Sequence, residues 1–372
     1  MEPTPDVPET PDVRALARDL VAVPSHDDET AAGNAIARWL REHTDATVAH
    51  TDAGVVARRD ECEHDSPWAV EGGIALVGHH DVVAPDEAQV DGDDYVVEEC
   101  DGRLHGRGSA DMKGSLAALC CAFRDTDAPC TLASFAGEEV GGVGARRAID
   151  RGFAPDYAVV GEGSTGYSSP GVTDVAVAHK GRRASTLVAH GTAAHASEPD
   201  AGENAVYRAL DAVDVVRDLA APSATVLGTD LAGSVVVTEI EGGSGWNVVP
   251  ERCTVTIDER TVPGERADLA AAASEDVEWR VEQDLPPMAC SDEAFAAAAL
   301  DAVRAVQDGA GERVAKPHAT DAGWLAQAGT ACVVCGAAEP GEAHTAGESV
   351  SLAVLDRCYA AYRGITERAA SR

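Results

Sequence analysis

Lysine is nearly missing from this chain. Of 29 basic residues among 372, only Lys113, Lys180 and Lys316 are lysines, and 64 acidic residues leave a formal charge of −35. A field of that sign repels phosphate backbones and anionic headgroups, which excludes nucleic acid and acidic membrane as default partners. Self-repulsion of this size is damped by salt, whose screening length falls to roughly 3 Å at 1 M. The composition therefore suits a very salty cytoplasm. Long apolar runs are also missing: none approaches the ~20 residues a membrane span requires. The opening Met-Glu-Pro-Thr-Pro-Asp-Val-Pro is acidic and proline-rich, unlike a secretory leader. Nor is there a disulfide framework. Ten cysteines are scattered, and Cys120, Cys121, Cys332 and Cys335 sit in apolar runs, the pattern of reduced, buried thiols. Cys332-Val-Val-Cys335 has redox or zinc spacing but no second pair, and reads as core. There is no internal repeat.

What remains is globular: 45% hydrophobic residues and 36 glycines suit an α/β protein of two or three domains. Residues 1–12 read as a disordered lead-in. Helices are expected over 13–23 and 27–43, the second with acidic residues in its first turn. Strands follow near 48–58 and 74–77, with a polar loop over 60–71. A glycine-rich turn leads into a helix over 115–123, and short strands are expected at 131–135 and 158–160. From about Val175 the pattern changes to strands over 175–178, 184–190, 234–240 and 253–257. A helix over 205–219, another over 264–273 and a closing strand over 277–281 complete a ferredoxin-like insert. Pro286-Pro287 marks the return to the first domain, which ends with a helix over 295–306, a strand over 330–334 and a helix over 350–366. The expected boundaries are 1–174 with 287–372 for the first domain and 175–286 for the insert.

Chemistry concentrates at strand ends. Ile-Ala-Leu-Val-Gly runs into His79-His80-Asp81, where His79 and Asp81, two apart on extended backbone, leave the same face. A carboxylate beside a histidine fixes the ring's tautomer when the ring binds metal. The next strands end in Gly137-Glu138-Glu139 and Gly161-Glu162-Gly163, and Asp111 precedes a helix. Ligands of open α/β sheets gather at such carboxyl ends. With His344, the pool of His79, Asp111, Glu139 and Glu162 offers two imidazoles and three carboxylates, a donor set that suits zinc. That set holds two ions if one carboxylate bridges, and Asp111, on a fixed turn, is the candidate bridge. Two ions ~3.5–4 Å apart can clamp a hydroxide and polarise a carbonyl. Adjacent Glu138 and Glu139 point apart, so one can bind metal while the other serves as general base. His80 points away from His79 and reads as packing. His105 reads as structural, and His26, His43, His50 and His64 as solvated.

The motifs Gly-His79-His-Asp81-Val-Val, Gly-Arg-Gly-Ser-Ala-Asp111-Met-Lys-Gly, Gly-Glu138-Glu139-Val-Gly-Gly, Val-Gly-Glu162 and Ala-His344-Thr-Ala-Gly-Glu stand in this order. Together they resemble the M20 family of metallopeptidases and deacylases. The resemblance implies a zinc-peptidase-like catalytic domain, a mixed sheet between helices, interrupted by a ferredoxin-like lid that also makes a homodimer. It implies two zinc ions, with cobalt or manganese able to substitute, and hydrolysis of a linear amide in a small N-acyl amino acid. His79 and Glu162 would hold one ion, Glu139 and His344 the other, with Asp111 shared. Glu138 would activate the metal-bound water and Asp81 would orient His79. Gly191-Thr-Ala-Ala-His195-Ala-Ser-Glu-Pro resembles the lid histidine that steadies an oxyanion across the dimer. Asn247, Arg260 and Thr320 keep the spacing of substrate contacts. Gly106–Ala118 and Lys180-Gly-Arg182-Arg183 are similar to succinyl-diaminopimelate desuccinylases of lysine biosynthesis. Arg182, Arg183 and Arg260 would read the second carboxylate through bidentate forks. Desuccinylases, however, carry Gly-Arg where Ala322-Gly323 stands. That departure leaves the arginine-pathway acetylornithine deacetylases, or dipeptidases of the same family, as alternatives.

Overall fold

The structure is a computed structural model that describes residues 10–59 and 66–371. Most of the expected lead-in, six residues of the 60–71 loop and His64 lie outside that range. The chain divides into two units. One comprises residues 1–178, 289–316 and 320–372; the other comprises 179–288 and 317–319.

The larger unit is built on a nine-stranded mixed sheet. In chain order its main strands are β1 (Thr47–Thr51), β2 (Gly54–Arg58), β3 (Ile74–His79), β4 (Cys130–Phe135), β5 (Tyr157–Val160) and β6 (Val175–His179). The strand Ala331–Val334, reached only after the second unit, pairs parallel with β5. The order runs β1-β2-β4-β3-β5, then Ala331–Val334, then β6. β3 lies parallel to both β4 and β5. All six residues of β3 are buried, as are all six of β4. Such continuous apolar runs are what a parallel sheet covered on both faces requires. Two differences from expectation have local causes. The strand foreseen over 48–58 is a hairpin, because Asp52-Ala53 turns the chain and Thr51 pairs with Gly54. β6, foreseen as the start of the insert, pairs through Ala176 with Val334 and belongs to the large sheet.

Helices α1 (Pro11–Val21), α2 (Thr30–His43), α3 (Gly114–Asp125) and α4 (Val143–Asp150) come from the first segment. α2 begins later than foreseen. Asp28 accepts a hydrogen bond from the Thr30 N–H at 2.9 Å, so the acidic residues precede the helix and hold its entry. α3 buries every residue from Gly114 to Phe123. The four phenylalanines of the chain are all buried, and two of them, Phe135 and Phe153, form a trio with Trp68. Their ring centroids lie 5.6–5.8 Å apart, two of the three pairs meeting edge to face. In a chain that is only 4% aromatic, this knot cannot be replaced by neighbours. Phe135→Ala should cost ~3–5 kcal/mol, as for other buried phenylalanines. A denaturation midpoint unchanged from wild type would contradict that.

The second unit forms an antiparallel sheet of four strands: β7 (Arg182–His190), β8 (Ser234–Gly242), β9 (Arg252–Arg260) and β10 (Val277–Leu285). Their order, β8-β9-β7-β10, is the ferredoxin-like one. Helix α5 (Ala205–Asp218) packs Ala205, Ala209, Ala212 and Val216 against Leu187, Val255 and Ile257. The second helix foreseen over 264–273 is absent. Gly264 takes φ +103°, which breaks the run, and a single 3-10 turn at Leu269–Ala272 covers the sheet instead. The larger unit closes with α6 (Glu293–Arg304), α7 (Asp321–Gln327) and α8 (Leu352–Ala370).

Candidate metal centre

Three neighbouring parallel strands end together, and each end carries part of one cluster. β3 stops at His79, the turn after β4 carries Glu138 and Glu139, and the bend after β5 carries Glu162. Asp111 arrives from the turn before α3, seated there by its neighbour Met112. A Cβ on Gly78 would come within 2.7 Å of the Met112 methyl, and one on Gly161 within 2.8 Å. Two glycines at adjacent strand ends thus form a slot for Met112, and the His79 N–H reaches its sulfur at 3.4 Å. His344 completes the cluster from the loop before α8, at a left-handed φ of +59°.

The geometry is that of two donor sets meeting at one carboxylate. Asp111 Oδ1 lies 3.1 Å from His79 Nε2. Its other oxygen, Oδ2, lies 3.0 Å from His344 Nε2. Glu162 Oε1 approaches His79 Nε2 at 3.2 Å, and Glu139 Oε1 approaches His344 Nε2 at 3.0 Å. Donor atoms of His79, Asp111 and Glu162 fall within 4.8 Å of one another, as do those of Asp111, Glu139 and His344. His79, Glu138 and Glu139 form a third such group. His79 Nδ1–H donates to the Asp81 carbonyl at 3.0 Å, which leaves Nε2 free to face the carboxylates. The Asp81 carboxylate accepts the N–H of Glu138 at 3.1 Å and of Glu139 at 2.9 Å. One residue therefore holds the imidazole through its carbonyl and the di-glutamate turn through its carboxylate.

The carboxylates of the cluster shift the groups they surround. Burial would lower the pKa of His79, yet Asp111, Asp81 and Glu162 raise it well above the ordinary value. Hydrogen bonds to Asp111 and Glu139 push His344 up to about 10. Burial raises Glu138 well above the carboxylate range, and the nearby Asp321, Glu162 and Glu139 raise it further. Several carboxylates thus converge on two imidazoles. Mixed imidazole and carboxylate donors grouped in this way fit a divalent cation of the zinc type.

Several groups in the site were not foreseen. Lys316, buried, donates to Glu162 Oε2 at 2.9 Å and holds that carboxylate from behind. Asp321, also buried, has no hydrogen-bond partner among the described residues; burial and the carboxylates around it push its pKa up to about 8. The rarity of lysine was the only sequence signal for Lys316. Thr320, foreseen as a substrate contact, caps α7, its hydroxyl accepting from the Ala322 N–H at 3.2 Å. His80, expected to pack and not to bind metal, is buried, its Nδ1 2.8 Å from Ser134 Oγ.

The remaining foreseen residues belong to the second unit. His195 is exposed, its Nδ1 2.6 Å from Ser197 Oγ and its Nε2 3.2 Å from Asn247 Nδ2. Arg182 and Arg260 each donate to Asp258 at 2.8 Å. Arg183 is buried and gives its guanidinium to Glu259 and the Ala267 carbonyl, so its fork is committed to the fold.

Fold and site together define a metal-dependent amidohydrolase. The model of Peptidase family M20/M25/M40 matches residues 75–368, and the chain belongs to that family. A curated acetylornithine deacetylase from Myxococcus xanthus is 30% identical over 320 residues, covering 78% of this chain and 80% of its own length. An acetylornithine deacetylase from Proteus mirabilis (strain HI4320) is 30% identical over 210 residues, 52% of this chain and 51% of its own. Among solved structures, aminopeptidase PepT from Bacillus cereus ATCC 10987 superposes with a TM-score of 0.76 at 18% identity, covering 97% of this chain and 98% of that one. The Bacillus subtilis YXEP protein, described as a dinuclear metal-binding peptidase of the M20 family, gives 0.66 at 16% identity, covering 96% and 97%. These structural likenesses are of fold.

Proposed function

We propose that the protein hydrolyses the amide bond of a small N-acyl amino acid, with two zinc ions held by His79, Asp111, Glu139, Glu162 and His344. Cobalt or manganese would fit the same donors. The observation that carries this reading is Asp111, whose two oxygens face different imidazoles. His79 and Glu162 serve one position, Glu139 and His344 the other, and Asp111 both. When bound, such a pair of ions lowers the pKa of water and polarises a carbonyl. Glu138, with a carboxylate uncommitted to any hydrogen bond among the described residues, takes the proton of the attacking water and passes it to the leaving amine. Asp81 keeps His79 and the Glu138-Glu139 turn in register for this.

His195, contacted by Asn247, is the group we assign to the oxyanion, acting across the homodimer, with Asn247 a substrate contact. His195→Ala should lower kcat by ~10²-fold, the scale for one such donor, with metal content unchanged. Full activity would return His195 to an ordinary exposed loop.

For the acyl group, the acetylornithine deacetylase relatives support a short acyl chain on an amino acid with a cationic side chain. Desuccinylation of succinyl-diaminopimelate is the second reading, favoured by Arg182 and Arg260, which stand at the ends of the two central strands of their sheet. Against it, Ala322 and Gly323, both buried in α7, stand where desuccinylases carry Gly-Arg, so the arginine that would read a second carboxylate is missing at that place. Assaying the zinc-loaded protein on N-acetylornithine, N-succinyl-diaminopimelate and an unblocked dipeptide separates these. Turnover of the dipeptide alone would make it a peptidase and remove the deacylase reading. We infer further a homodimer formed through the second unit and work in a salty cytoplasm. Raising KCl from ~0.1 M to ~2 M should then raise the melting temperature, since screening relieves self-repulsion; a falling one would end that inference.

A further inference from the structure

We propose that Glu348, together with Arg107, is a positioning residue that sets the spacing of Asp111 and His344, and through it the occupancy of the cation position they share with Glu139. The inference rests on the metal-centre reading above. Glu348 has a fully buried side chain and lies four residues after His344. Its Oε1 accepts the N–H of Ala110 at 3.0 Å and of Asp111 itself at 3.1 Å. Its other oxygen pairs with the guanidinium of Arg107, whose side chain is 4% exposed. Its backbone carbonyl accepts the Gly106 N–H at 3.1 Å. The adjoining residues extend this grip, since Ser349 pairs with His105 and Val350 with Leu104 in an antiparallel ribbon.

One residue thus ties the turn that delivers Asp111 to the loop that delivers His344. The two loops are 237 positions apart in the chain at this contact. No other side chain among the described residues bonds the backbone of Asp111. On the other side of the cluster Glu162 has its own support in Lys316, and of that side's ligands only Asp111 is held by the clamp. The clamp therefore acts on one cation position more than on the other. Partners one bond removed from a ligand typically change metal affinity by ~10–100-fold.

The test is Co²⁺ titration of metal-free full-length wild type and Glu348→Gln, followed by calorimetry and visible absorbance. Glutamine keeps an oxygen for the two N–H groups but leaves the Arg107 charge unpaired, and so loosens the clamp. Wild type should take two ions per chain. In Glu348→Gln the second ion should bind at least ~10-fold more weakly, and the first should lose clearly less, because only Asp111 of its ligands is held by the clamp. Excess Co²⁺ should restore kcat with KM for N-acetylornithine unchanged. Equal affinity for the second ion in the folded variant would overturn the proposal, as would equal weakening of both ions, the mark of a purely structural residue. Should Glu348→Gln not fold, Arg107→Lys, which keeps the charge but replaces the guanidinium that meets Glu348, is titrated in the same way. If neither variant folds cooperatively, Glu348 belongs to the fold alone and the proposal fails. A wild type that binds no Co²⁺ at all sinks the metal-centre reading itself, a separate outcome.

Discussion

Glu138→Gln should lose ~10²–10⁴ in kcat while keeping both metal ions, the range over which a positioned general base contributes. The substitution is isosteric and removes only the ability to hold and release a proton. Backbone geometry should survive, because Asp81 grips the turn through the N–H groups of residues 138 and 139 and not through either side chain. Its neighbour Glu139 is committed to His344 at 3.0 Å, whereas the Glu138 carboxylate bonds nothing among the described residues. A competing role exists, since Glu138 also stands with His79 and Glu139 in a group that could hold an ion. Metal analysis separates the two: a ligand would take an ion with it when replaced, a base would not. Loss of one ion per chain in Glu138→Gln, or a rate near wild type, would remove the general-base assignment.

Asp111→Ala should abolish activity and empty both positions, a heavier loss than His344→Ala, which should spare the His79 side. The reason is the sharing: each Asp111 oxygen faces a different imidazole, so its removal takes a ligand from each set at once. Binding of metal to the native state alone stabilises by RT ln(1 + [L]/Kd), about 4 kcal/mol at a thousandfold excess over Kd. A chelator should therefore lower the melting temperature of wild type and leave that of Asp111→Ala nearly unchanged. Retention of two ions by the variant would disprove the bridge.

How much of this could be read in advance follows from the distance over which each feature is specified. The endings of β3, β4 and β5 were legible because each is a short apolar run closed by glycine and followed at once by its acid or imidazole. His344 was the weakest member of the pool, because nothing in its own neighbourhood distinguishes it from a solvated loop histidine. Lys316 was invisible because its meaning is a contact with Glu162, 154 positions away. Arg107 and Glu348 were visible as letters of two motifs, but their pairing spans 241 positions. The errors of element were local: Gly264 stopped a helix that the alanine-rich segment invited, and Asp52-Ala53 folded one foreseen strand into two. α7 was missed because seven residues are too few to show a period, although its cap, Thr320, was in plain view.

The scarcity of lysine has a practical side. Lys113 is 1% exposed, its ammonium against the Val23 carbonyl, and Lys316 is 6% exposed against Glu162. Only Lys180 keeps part of its surface in solvent. Amine-directed dyes, tethers and crosslinkers therefore meet one lysine handle on the folded protein, at the first residues of the second unit. A label placed there reports on that unit while leaving the metal ligands untouched.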